Sequence, residues 1–171
     1  MKRANKIVAK PVEETSTVRV LKRASCPSVS GKSSLTYEVG VDEKSKELQL
    51  RVVSNSGRGC FSQEWVKVEA IRAHLDKAPK GETVTSYVLA PLFRGVSQNT
   101  SGFVWAVLVH AGFVVPSTQK KRTYDRVEPT AFRDEMTALI EGRPVDAKAR
   151  KNAGKKAAPV KAPSGATKKT K

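Results

Sequence analysis

The chain has few of the residues that build catalytic or metal sites. It contains two histidines and two cysteines in 171 residues, and Cys26 and Cys60 have no ligand-type neighbours at short spacing. Metal and nucleophilic centres need several such side chains close together. His74 and His110 fall near expected helix ends, where the helix dipole is a sufficient reason for a histidine. We therefore expect no enzyme, no metal and no cofactor.

Long apolar runs are also missing. No stretch approaches the roughly 20 apolar residues that a membrane-crossing helix needs. The positive residues at the start are not followed by the apolar segment of a secretory signal. Two cysteines without a regular pattern suit a reducing compartment better than a disulfide framework. The sequence predicts no membrane association and a cytoplasmic location.

Positive charge is abundant, with a formal net charge of +16, and it is unevenly distributed. Residues 1–32 hold 8 Lys and Arg against 2 acids, residues 33–142 hold 14 against 13, and residues 143–171 hold 10 against 1. Cationic segments flanking a nearly neutral centre are typical of proteins that bind a large polyanion, most often nucleic acid. Residues 1–32 are interpreted as a basic, mostly disordered arm.

Residues 143–171 form a second cationic segment with almost no large apolar side chain, so we expect it to be disordered when free. Its Lys/Ala/Pro composition resembles the tails of linker histones and of bacterial histone-like proteins. Such tails bind phosphates by releasing counterions, without sequence preference. The cations expected to contact DNA here are Lys148, Arg150, Lys151, Lys155, Lys156, Lys161, Lys168 and Lys169.

The central region begins with a predicted β-hairpin lobe over residues 33–61. Apolar residues alternate with polar ones from Leu35 to Val41 and again from Leu48 to Val53, on either side of the polar turn 42–47. This period of two indicates half-buried antiparallel strands. The segment from Val18 to Pro27 can supply a third strand.

The loop that follows, Ser54–Gly59, is rich in glycine and polar residues. A connector is the favoured interpretation, and a backbone phosphate contact assisted by Arg58 is the alternative.

From residue 63 the apolar period becomes helical. A first helix is expected from Gln63, with Ser62 as its N-cap and Trp65 as a core anchor. Three further helical segments are expected: one from Thr83 or Thr85 to Gly95 that Pro91 makes short or irregular, one from the polar start 97–100 to Gly112, and one from Thr130 to Glu141. Between the last two, residues 113–127 predict a strand, a basic loop and a strand.

Helices followed by a two-stranded ribbon with a cationic tip resemble the winged helix-turn-helix DNA-binding domain over about residues 62–128. The expected fold class is thus α+β, with the hairpin packed on a winged-helix-like domain over residues 62–142. The resemblance implies that the third helix enters the major groove and that the wing contacts the backbone. The residues it assigns are Arg94, Gln98, Asn99, Thr100 and Ser101 at the third helix, and Lys120, Lys121 and Arg122 on the wing.

An alternative for the third helix stays open, because its middle is apolar nearly all round, which is typical of a buried helix. In that case Trp105 and Val109 contribute to a homo-oligomer or to an interface with a protein partner.

The sequence therefore predicts a DNA-binding protein of architectural, nucleoid-associated or transcription-regulatory type whose partner is duplex DNA. Two alternatives remain: an RNA- or ribosome-associated factor, and a protein-interaction adaptor whose tails tether it to nucleic acid.

Overall fold

The computed structural model describes residues 17–143, where a four-stranded antiparallel sheet packs on helices beside a two-stranded ribbon. The elements are β1 (Val18–Pro27), β2 (Ser34–Asp42), β3 (Leu48–Asn55), β4 (Val66–Lys67), α1 (Val68–Leu75), a 3-10 helix (Ser86–Phe93), α2 (Asn99–Ala111), β5 (Val114–Pro116), β6 (Tyr124–Arg126) and α3 (Thr130–Ile140). The expected α+β class is confirmed. The predictions for residues 1–16 and 144–171 lie outside the described residues.

The predicted hairpin is confirmed as β2 and β3. They pair antiparallel, with Val39 opposite Leu50. The apolar residues of each strand face inward, and both Val39 and Leu50 are almost fully buried. Lys46, at φ 61°, helps to close the turn. The alternation that predicted the strands thus also sets which face of the sheet meets the core.

β1 is one of the two edge strands and pairs with β2 from Val18 opposite Asp42 to Pro27 opposite Ser34, with a bulge between Val20 and Lys22. The predicted third strand is therefore confirmed, and the basic arm is wrong in extending to residue 32. Backbone pairing to β2 offsets the ordering cost of this charged segment, and Lys22 pairs with Glu135 of α3 at 2.7 Å. We call residues 17–143 the body. They contain 19 Lys and Arg against 13 acids.

α1 begins later than predicted, at Val68, and Ser62 does not cap it. Val66 and Lys67 pair with β3 as β4, so hydrogen bonding to the sheet competes successfully with helix formation. Trp65 is only partly buried, and the Arg51 guanidinium lies 4.5 Å from its ring centroid. Its interpretation as a core anchor is wrong.

Pro91 has the predicted effect on the next helical segment. Ser86–Phe93 is a 3-10 helix that contains this proline, which removes one N–H donor and obstructs α-helical packing. Just before it, Val84 exchanges both backbone hydrogen bonds with Tyr124 at 2.8 Å and so extends the ribbon of β5 and β6.

α2 is the central helix of the body. Its five consecutive residues Val104–Leu108 are buried, because α2 packs against β1 and β3 on the sheet and against the 3-10 helix and β5. Trp105 is 1% exposed and packs edge-on against Tyr124. The helix ends as predicted at Gly112, whose φ of 80° suits a residue without a side chain.

α3 contacts β1 and contributes the buried side chains of Phe132 and Met136 to the core. No helix within residues 17–143 is long and apolar enough to cross a bilayer.

Candidate nucleic-acid interface

The first turn of α2 carries the residues predicted to contact bases, but the protein itself already uses most of them. Thr100 is 3% exposed, and its hydroxyl accepts a hydrogen bond from the Ser62 backbone N–H at 3.0 Å. The Asn99 amide donates to the Cys60 carbonyl at 3.2 Å. The Ser101 hydroxyl donates to the Gln98 carbonyl at 3.1 Å.

Two corrections follow for the predicted DNA contacts. Thr100 cannot contact a ligand, because it is buried and its hydroxyl supports the preceding loop. Asn99 can present its amide to a base only by giving up the bond to Cys60. Gln98 is exposed, and within residues 17–143 its side chain has no hydrogen-bond partner.

Most of the remainder of α2 is covered by the 3-10 helix, by β1 and β3 of the sheet and by β5. Tyr37 of β2 and His110 near the end of α2 share a hydrogen bond of 3.0 Å. Phe61 packs edge-on against Phe103 near its start. A recognition helix contacts base edges mainly through its N-terminal residues, and in α2 most of those residues are already bonded within the fold while the middle of the helix is buried.

The predicted protein interface on α2 also needs correction. Trp105 lies inside the core and is not available to a partner. Val109 is half-buried and packs against the same core. Burial therefore accounts for the apolar middle of the helix.

The polar contact that fixes the end of α2 has a pH consequence. Burial, followed by the nearby Lys22 ammonium, lowers the pKa of His110 below its ordinary value of 6.5. Burial also raises the pKa of Tyr37. The neutral Tyr37–His110 pair is therefore the form that the fold prefers.

The loop between β5 and β6, which the resemblance assigns as the wing, carries the three predicted cations. Lys120, Lys121 and Arg122 are exposed at the tip of the loop between β5 and β6. The loop is closed by a bond from Ser117 N–H to the Thr123 carbonyl at 2.9 Å. The Thr123 hydroxyl donates to the Lys120 carbonyl at 2.7 Å. These bonds hold the three side chains on one protruding turn.

A second basic surface is formed where three loops meet at one end of the sheet. We call it the loop end and define it as residues 28–33, 54–62 and 94–98. Ser34 and Ser56 exchange two hydrogen bonds, from Ser34 N–H to the Ser56 hydroxyl at 2.8 Å and from Ser56 N–H to the Ser34 carbonyl at 2.9 Å. The Ser97 hydroxyl donates to the Cys60 carbonyl at 2.5 Å.

Arg94 belongs to the loop end, together with Lys32 and Arg58. The sequence already places Arg94 for a phosphate contact and gives Arg58 such a contact as the less favoured interpretation of its loop. Lys32 is not among the predicted contacts, because its proximity to Arg58 depends on pairing between segments far apart in the chain.

Catalytic and metal-binding groups are sparse in the body. Residues 17–143 contain no group of three or more His, Cys, Asp or Glu side chains arranged to hold a metal. Burial raises the pKa of the Cys26 thiol to about 11, which makes it a poor nucleophile near neutral pH. Cys60 is exposed.

Comparison with known proteins gives no match for this chain, whether to a family model, a curated protein or a solved structure.

Proposed function

We propose that the protein binds nucleic acid, with duplex DNA as its partner, and acts as an architectural, nucleoid-associated protein. The observation that carries the proposal is the distribution of charge. Residues 144–171 hold 9 Lys and Arg against a single acid, Asp146, and the body adds an excess of six cations. Charge of one sign concentrated in this way attracts a polyanion and binds it by counterion release.

The order of elements supports a winged-helix-like organisation within this proposal. α1 is followed by the extended residue Val84, the 3-10 helix, α2 and the ribbon of β5 and β6. In winged-helix proteins the ribbon contacts the DNA backbone, and Lys120–Arg122 occupy its tip.

The burial of α2 favours an architectural role over a sequence-specific regulatory one. With Thr100 inside the core and Asn99 bonded to Cys60, Gln98 is the only one of the predicted base contacts left with a free side chain in the described residues. A single bidentate side chain contributes about 1–3 kcal/mol of discrimination between bases. Phosphate contacts from the wing and the end segments then dominate the affinity.

A binding comparison tests the proposal. Fluorescence anisotropy is measured with the full chain and labelled duplex DNA, duplex RNA and single strands of matched length at the same salt. We expect binding to duplex DNA with similar affinities for unrelated sequences. A clear preference for duplex RNA or for single strands would assign the protein to RNA instead, and no binding to any of them at low ionic strength would refute the proposal.

A further inference from the structure

The loop end, like the loop between β5 and β6, carries cations without acids in the same segments. The continuous segments 25–37, 52–63 and 83–103 contain Lys32, Arg58 and Arg94 but no Asp or Glu. All three cations are exposed, and no carboxylate within residues 17–143 forms an ion pair with them.

Several other body cations are paired within the fold. Arg51 pairs with Glu38 at 2.8 Å, and Lys67 pairs with Glu47 at 2.7 Å. Arg126 binds the backbone carbonyls of Leu75 and Pro79 at 2.9 and 2.7 Å. The loop-end cations have no such intramolecular role in the described structure.

Close packing holds Lys32 and Arg58 in one region, and Arg94 lies three residues before Ser97, whose hydroxyl donates to the Cys60 carbonyl. A Cβ added to Gly57 would lie 2.9 Å from the Ser33 Cβ, and one added to Gly59 would lie 3.0 Å from the Asn99 amide nitrogen. Arg58 stands between these two glycines, and Lys32 adjoins Ser33. Consecutive α-carbons are about 3.8 Å apart, so the Arg58 α-carbon lies about that far from the α-carbons of Gly57 and Gly59, which make these two contacts.

Hydroxyl groups accompany the charges. A shallow hollow of about 510 Å³ at this end is lined by Ser25, Cys26, Pro27, Gly31, Lys32, Ser33, Ser34 and Ser56. Serine hydroxyls and exposed loop N–H groups donate hydrogen bonds to phosphate oxygens, alongside Lys and Arg.

We propose that the loop end binds the phosphodiester backbone of nucleic acid through Lys32, Arg58 and Arg94. It is a contact surface additional to the wing and the end segments, and it rests on the proposed function. Each DNA strand presents one phosphate per about 3.4 Å of helix axis, so neighbouring cations of the loop end can contact successive phosphates of one strand. The contacts are to the backbone, so the surface positions the protein without selecting a sequence.

Cys60 provides a native reporter for this proposal, because it lies in the loop end and is exposed while Cys26 is buried. The rate of Cys60 modification by a neutral maleimide is measured on the full chain with and without saturating duplex DNA, with saturation established by anisotropy. We expect DNA to slow the modification several-fold. Unchanged modification with DNA bound would overturn the loop-end proposal and leave the proposed function intact, whereas absence of DNA binding would refute both. Equal protection by polyglutamate at matched charge would assign the surface to an acidic protein instead.

A matched pair of variants provides a second test. K32Q/R58Q removes two charges from the loop end, and K44Q/K46Q removes two exposed charges from the turn at the opposite end of the hairpin. The slope of log affinity against log salt should fall by about 1.8 for the first variant, at about 0.9 per phosphate contact, and should change far less for the second. Equal reductions in both variants would overturn the proposal, because they would reflect net charge alone.

Discussion

Leu108→Ala tests whether α2 is a core helix or a helix that reads DNA. Leu108 is fully buried, at 0% exposure, and is one of five consecutive buried residues of α2. Truncation to alanine removes three carbon groups, each contributing about 0.8 kcal/mol of burial energy, or roughly 2.4 kcal/mol in total. The cavity that remains adds to this, so we expect a loss of about 3–5 kcal/mol in the free energy of unfolding.

The matched control is Gln98→Ala on the first turn of the same helix. Gln98 is exposed, and surface substitutions of this kind usually change stability by less than about 0.5 kcal/mol. The two variants therefore separate the buried part of α2 from its exposed start.

Urea unfolding, followed by circular dichroism and tryptophan fluorescence, measures both effects. Anisotropy with duplex DNA at a temperature where each variant is folded measures affinity per folded molecule, which Leu108→Ala should leave nearly unchanged. If Leu108→Ala kept full stability but lost DNA affinity, the placement of α2 in the core would be wrong.

Three further predictions concern a titration, a close backbone approach and the wing. Because the pKa of His110 is lowered in the folded state, the unfolded chain binds the proton more readily. The free energy of unfolding should therefore fall as pH drops below 6.5 and level off below the folded pKa. Urea titrations at each pH measure this dependence, which His110→Gln should lose. Gly40→Ala should destabilise the protein by about 1–3 kcal/mol in urea unfolding, because a Cβ there would lie 2.5 Å from a side chain of β1 and 2.9 Å from a β1 backbone oxygen. Unchanged stability would contradict this packing. Replacing Lys120, Lys121 and Arg122 with glutamine should lower the slope of log affinity for duplex DNA against log salt by up to about 2.7 and leave thermal unfolding unaltered. A drop in stability without a change in slope would mean that these side chains stabilise the fold and do not bind DNA.

Periodicity predicted most of the secondary structure. The alternation from Leu35 to Val53 predicted the hairpin, and Gly112 marked the end of α2. Both signals are local, because they depend on which side chains share a face and on the backbone freedom of glycine. The predicted start of α1 was wrong because Val66 and Lys67 pair with β3 through backbone hydrogen bonds. This is a long-range interaction, which a local sequence pattern does not contain.

The candidate interface was less predictable for the same reason. Gln98–Ser101 form a polar helix start in the sequence, but the burial of Thr100 depends on Ser62, 38 positions earlier. Lys32 and Arg58 become neighbours only through the pairing of β2 with β3. Charge composition predicts the class of partner, whereas tertiary contacts decide which cations are free to meet it.

The most direct test of the account is the salt dependence of duplex DNA binding by the full chain and by a chain ending at Arg143. We predict that log affinity falls linearly with log salt and that truncation lowers the slope by as much as about 8, which corresponds to nine Lys and Arg at about 0.9 each. Salt-independent affinity, or a slope that truncation leaves unchanged, would contradict the claim that the cationic segments bind the DNA backbone.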